Sequence, residues 1–208
     1  MNLNELFEKQ KELDEYIIKE KGLEGQDLLD KKILALQVEL GELAQNWRGF
    51  KFWSEDQKAR TKEFCEICCG VGVYIGDDYS VYDPCFRCNG TGYEKQKNPL
   101  LEEYVDCLHF ILSIGLELGM DEVAYELDLK KFNFLTSNTI LSCFIGLSYD
   151  IADFYYQREN GDMVPYLYEH ILLEFAKLGK MLGFTWDEIE QAYYEKNKEN
   201  HERQENGY

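Results

Sequence analysis

Residues 27–47 read DLLDKKILALQVELGELAQNW, an apolar run with the spacing and length of a buried helix. A second run of the same kind, residues 98–119, reads NPLLEEYVDCLHFILSIGLELG, with Pro99 suited to a first helical turn and Gly119 to a stop. Each carries two carboxylates three residues apart, Glu39 with Glu42 and Glu103 with Asp106, hemmed by apolar neighbours. At that spacing both members of a pair face one side of a helix. In a chain with 40 Asp and Glu residues the spacing alone means little, and pairs such as Glu12/Glu15 and Glu199/Glu202 look like solvated faces. The apolar setting sets the first two apart, with Asp150/Asp153 in LSYDIADFYY as a rival.

Outward from these runs the chain stays helical. Leu6, Leu13 and Ile17 mark a helix over about 3–20, ended by Gly22 and Gly25. Further helical pieces are predicted over 121–135, 138–158 and 163–182, and a capping box of Thr185 with Glu188 opens a last helix to the chain end. Only three prolines are present. An all-α fold follows, with residues 1–64 and 94–208 as the helical domain and 65–93 as an insertion of short strands and turns.

The 208 residues are 45% apolar and 30% charged, the balance of a globular chain able to bury a core. A formal charge of −18 argues against a general nucleic-acid binder or an anionic membrane surface, both of which call for Lys and Arg. A small anionic substrate stays open if metal ions or a few placed cations meet it. The N-terminal MNLNELFEKQKELDEY is charged and amphipathic, unlike a secretory signal, and CLHFILSIGLELG is too short to span a membrane. A soluble cytoplasmic protein is expected.

The insertion carries CEICCGVG (65–72) and CFRCNGTG (85–92), two copies of Cys-x-x-Cys-x-Gly-x-Gly separated by sixteen residues between Cys68 and Cys85. Cys65, Cys68, Cys85 and Cys88 suit tetrahedral thiolate ligation of Zn²⁺. Four sulfurs leave no coordination position for a substrate, so the expected role is structural, with redox-active dithiols as the alternative. The glycine pattern also resembles the cysteine-rich domain of J-protein cochaperones, over this segment alone. Cys107 and Cys143 fall in apolar runs and read as core thiols; Cys69 has no assigned role.

Four carboxylates brought together in a partly apolar setting repel one another and lose solvation, so they call for cations. Hard oxygen ligands on facing helices suit Mg²⁺, which commonly binds substrate phosphates as well. At the other end of the chain Lys196, Asn200 and Arg203 share one helical stripe, fit either to hold a polyphosphate or to form a surface Glu/Lys ladder. Nothing in the sequence recommends His109, His170 or His201 as a ligand or base, and no Walker loop, GxGxxG, nucleophile elbow or HExxH occurs.

Together LFEKQKELDEYI, ALQVELGELAQNWRGFKFWS, LLEEYVDCLHFILSIGLELG and YYEKNKENHERQENGY resemble the dimeric all-α dUTPases, relatives of the MazG-like nucleoside triphosphate pyrophosphatases. The combination of E-x-x-E, then E-x-x-D running into HFILS, then K-N-x-x-N-x-x-R-Q-x-x-G-Y carries the resemblance. It implies a helical bundle and hydrolysis of dUTP to dUMP and pyrophosphate. Glu39, Glu42, Glu103 and Asp106 would hold two or more Mg²⁺, and Glu42 or Glu39 would take the proton of the attacking water. Lys51, Lys196, Asn200 and Arg203 would hold the phosphates. Gln10 and Asp14 would meet the uracil edge, Phe110 would pack on the sugar or base, and Trp53 would stand in the pocket wall. Some family members carry Asn at the position of Asp14. A homodimer is implied, each pocket partly completed by the neighbouring subunit.

Two alternatives stand beside this expectation. The same carboxylates would serve a broader or dCTP-directed pyrophosphatase, distinguished only at Gln10, Asp14 and Phe110. A zinc-dependent interaction module on a helical scaffold belongs to a different class, and the knuckles would then present a surface to a regulatory protein partner.

Overall fold

The computed structural model describes residues 2–75, 82–94, 98–121, 139–158 and 164–207. Six helices lie in them: α1 (Leu3–Lys21), α2 (Leu29–Trp47), α3 (Pro99–Glu117), α4 (Ile140–Arg158), α5 (Val164–Leu182) and α6 (Trp186–Glu205). The all-α expectation holds, with helix ends within a few residues of those read from the sequence. Beyond Asp121, the helix expected over 121–135 lies outside the described residues.

The sequence of α3 is apolar nearly all round, and it becomes the central helix. Tyr104, Val105, Cys107, Leu108, Ile111 and Leu112 are all buried. Asn98 caps it, its side chain accepting from the Leu101 N–H at 3.3 Å, with Pro99 at the first turn. Helix α2 offers the narrower stripe Ile33, Leu36, Leu40 and Leu43 and packs along α3. Helices α1 and α6 close against α3 and each other, and α4 pairs with α5. Close approach of α3 and α5 depends on two glycines. A Cβ on Gly115 would lie 2.2 Å from the Tyr168 hydroxyl oxygen, and one on Gly179 would lie 2.5 Å from that of Tyr104. The space goes to the two phenols, which donate across the interface to the carbonyls of Ile111 and Phe175 at 3.0 and 3.1 Å.

The cysteine segment leaves this frame between α2 and α3. It holds two three-residue strands, β1 (Val73–Ile75) and β2 (Tyr82–Pro84), paired antiparallel, and a bridge between Phe64 and Tyr93. Its two knuckles are tied symmetrically: the Cys65 N–H donates to the Gly92 carbonyl and the Cys85 N–H to the Gly72 carbonyl, both at 2.9 Å. No described helix is long and apolar enough to cross a membrane.

Candidate active site and metal centres

The pairing of α2 with α3 brings Glu39 to Glu103 and Asp106, and one carboxylate oxygen from each lies within 4.8 Å of the others. Burial, followed by the charges of Asp106, Glu42 and Glu39, pushes the Glu103 carboxyl up to about 7. Burial raises Glu39 and Asp106 as well, helped at Glu39 by Asp106 and Glu42 and opposed at Asp106 by Lys196. Partly buried carboxylates that resist their own ionisation are short of positive charge, which fits a divalent cation held by oxygen ligands.

Lys196 on α6 supplies one cation. It is buried, with Nζ 2.7 Å from Asp106 Oδ2 and 3.2 Å from Glu102 Oε1. Asn46, one helical turn beyond Glu42, donates to Glu103 Oε1 at 3.1 Å.

Beside the carboxylates lies a cavity of about 310 Å³ between α1, α2, α3 and α6. Gln10, Asp14, Glu39, Asp106, Phe110, Lys196, Asn200 and Arg203 all line it, so most of the residues singled out in the sequence converge there. Arg203 also pairs with Glu199 at 2.6 Å. Three of the expected residues stand elsewhere. Glu42 is exposed and outside the group of three carboxylates, though its charge reaches Glu103 and Glu39. Lys51 and Trp53 are not among the lining residues. Trp53 is 65% exposed, edge-on to Phe52, and Lys51 Nζ sits 5.7 Å from the Phe50 ring centroid.

The floor of the cavity is a polar network that the sequence did not announce. Gln10 is 3% exposed, and its amide nitrogen donates to Asp14 Oδ1 at 2.7 Å. With its nitrogen turned to Asp14, Gln10 faces Oε1 toward His109 Nδ1 at 2.7 Å and accepts from the Tyr193 hydroxyl at 2.9 Å. His109 therefore carries its proton on Nδ1 and stacks on Tyr193 with ring centroids 4.2 Å apart. Burial, with Lys196 adding to it, pushes His109 down to about 3, so the ring is neutral and Nε2 is a bare acceptor without a protein partner. Asp14 also accepts from Ser113 and from Lys32 at 3.3 Å, and Lys32 in turn holds Glu117 at 2.7 Å. The one available sequence signal was spacing, since Asp106, His109 and Ser113 fall at i, i+3 and i+7 on α3. The rival Asp150 is bound up otherwise, 3.4 Å from His170 Nε2, and joins no cluster of three candidate ligands among the described residues.

The second centre comprises Cys65, Cys68, Cys85 and Cys88, all buried, with ligand atoms within 4.8 Å of one another. Their Sγ atoms lie 3.8 Å apart for Cys65 and Cys85 and 3.7 Å for Cys68 and Cys88. Four sulfurs placed tetrahedrally at about 2.3 Å from one zinc would be separated by about 3.8 Å, so the spacing fits. The N–H groups of Gly72 and Gly92 donate to Cys68 and Cys88 Sγ, both at 3.3 Å. Two of the thiols split: burial first, with the neighbouring thiols, pushes Cys65 up to about 12, while at Cys88 the Gly92 N–H and the neighbouring thiols outweigh burial and bring the group down to about 6, so of the two Cys88 is nearer the thiolate a metal needs. Gly72 and Gly92 have positive φ, 78° and 79°, and a Cβ on either would fall 2.5 or 2.3 Å from a carbonyl oxygen of the opposite knuckle. The repeated glycine therefore lets two knuckle backbones touch. Cys69 is exposed, with φ 50°, in the place Asn89 takes in the second knuckle.

A family model described as dUTPase matches residues 2–67 and 84–208, and its match breaks inside the cysteine segment. No match was found among curated proteins or among solved structures.

Proposed function

Because the chain belongs to the all-α dUTPase family and is a dUTP diphosphatase, we propose that it splits dUTP into dUMP and pyrophosphate at the α2–α3 carboxylates with Mg²⁺. The observation that carries this is the convergence of Glu39, Glu103 and Asp106 beside a cavity that Lys196, Asn200 and Arg203 also line. Anionic ligands for a cation and cationic groups for a phosphate chain thus adjoin in one cavity.

Glu39, Glu103 and Asp106 would hold the Mg²⁺, with Glu42 joining them when a second ion binds. When bound, Mg²⁺ neutralises phosphate oxygens and polarises water. Glu42 is exposed one turn beyond Glu39, so its carboxylate can take the proton of the attacking water; Glu39 is the alternative. Lys196, Asn200 and Arg203 orient the phosphates and offset the charge that grows on the leaving pyrophosphate. Gln10 and Asp14 sit against the base, held in place by His109, Tyr193, Ser113 and Lys32, and Phe110 packs on the sugar or base. Lys51 and Trp53 meet the nucleotide from the loop outside the cavity.

Zn²⁺ on the four cysteines would be structural, stiffening the segment that follows that loop. A homodimer is supported by an exposed apolar strip across two packed helices. Leu34 and Val38 on α2 are 65% and 51% exposed, and Ile145 and Tyr149 on α4 are 64% and 67% exposed. Release of pyrophosphate from dUTP, dTTP, dCTP and UTP with Mg²⁺ tests the substrate. Strong preference for dUTP is expected. Comparable turnover of all four would make this a general pyrophosphatase, and none would overturn the assignment.

A further inference from the structure

Glu102 stands next to the carboxylate group but outside it. Its side chain is 40% exposed and lines a second cavity, of about 400 Å³, on the other side of Lys196. Lys196 lines both cavities and is the wall between them. From that wall Nζ reaches Asp106 on the catalytic side and Glu102 on the far side. The two carboxylates are four residues apart on α3, so one face of the helix offers the ammonium two alternative anions.

We propose that Glu102 is a positioning residue which retains Lys196 when a divalent cation takes Asp106. This rests on Asp106 being a Mg²⁺ ligand. Without metal, Lys196 is the counter-ion of Asp106. A metal ion arriving at Asp106 competes for the same carboxylate and repels the ammonium. A buried ammonium left without an anion is costly, so metal binding would be opposed unless a second carboxylate were in reach. Glu102 is that carboxylate. It lets Lys196 stay charged at the cavity wall, facing the position of the phosphates, while Asp106 changes partner.

The test compares wild type, E102Q, E102D and E39Q as full-length, zinc-loaded protein. Mn²⁺ binding without nucleotide is read by electron paramagnetic resonance, and dUTP turnover is measured against Mg²⁺. For E102Q the expected result is about five- to tenfold weaker Mn²⁺ binding and a matching rise in the Mg²⁺ needed for half activity. KM for dUTP at saturating Mg²⁺ should not rise, since Lys196 loses a competitor of the phosphates. E102D should recover part of the metal affinity. E102Q binding Mn²⁺ as tightly as wild type would overturn the role of Glu102, as would parallel losses in metal affinity, KM and thermal stability. The metal-site assignment fails separately, if E39Q also binds Mn²⁺ like wild type.

Discussion

Glu39, Glu103 and Asp106 stand on two long helices and lie outside the apolar core that packs them, whereas Cys65, Cys68, Cys85 and Cys88 form the buried cluster of their own segment. Around the carboxylates a core of Leu, Ile, Phe and Tyr side chains fixes the backbone first, and the charged groups are carried into place at an electrostatic cost. In the knuckles the ligands are the core, and hydrogen bonds between Gly72, Gly92 and the cysteine N–H groups fix only their local geometry. The difference teaches that a metal can be added to a fold or can be part of it. Loss of the first should leave a folded, inactive protein; loss of the second should dismantle a segment and spare the helices.

The sharpest break between the two regions should come from E103Q. It keeps the shape of the side chain and removes the charge of a proposed Mg²⁺ ligand, so kcat/KM for dUTP should drop on the order of 10³-fold, about 4 kcal/mol of transition-state stabilisation. Zinc content and helical circular dichroism should stay at wild-type levels, and a mutant that lost zinc as well would join the two sites the comparison separates. The reverse experiment is C85S. Zinc should be lost and proteolysis should appear within 65–93, while the helical signal persists and activity falls far less than in E103Q. G72A should behave like C85S, because its Cβ has no room against the Gly90 carbonyl.

Acidity should separate the sites more gently. Glu103 is raised to about 7 from an ordinary 4.5, so below pH 7 a proton competes with the proposed Mg²⁺ for this carboxylate. Apparent Mg²⁺ affinity should therefore level off above pH 7 and decline by up to about tenfold per pH unit below it, in a calorimetric titration across pH 5.5–8.5. The sign for stability runs the other way. The folded metal-free protein holds that proton more tightly than the unfolded chain, so this group makes it less stable as pH rises from 4.5 to 7. His109, depressed to about 3 from 6.5, has the opposite sign, its contribution being lost as pH falls from 6.5 toward 3. The two oppose each other between pH 4.5 and 6.5, so metal affinity is the cleaner readout. The smallest effect belongs to T185A, which removes the capping box of α6 and should cost about 1 kcal/mol in thermal unfolding without changing Mg²⁺ affinity.

Much of the helical frame was readable because its signals are local. The apolar runs of α2 and α3, Pro99 at a first turn and the Thr185–Glu188 box each act within one turn of chain. The cysteine spacing was equally local. For the candidate site, Glu39, Glu103 and Asp106 drew attention through an apolar setting, but the sequence could not show that Glu42 stays outside their group, which depends on how α2 rotates against α3. Nothing in the sequence recommends His109, because its partners, Gln10 and Tyr193, come from the two ends of the chain. The stripe of Lys196, Asn200 and Arg203 is legible as a polyphosphate site or a surface ladder, and the engagement of Lys196 with Asp106 and Glu102 depends on where α6 docks.

The most direct measurement is pyrophosphate release from dUTP with Mg²⁺, run in parallel with zinc content, for wild type, E103Q and C85S. We predict that E103Q retains zinc and loses turnover, while C85S loses zinc and retains a substantial part of it. Turnover that survives in E103Q but disappears with the zinc in C85S would contradict the assignment of the chemistry to the helices.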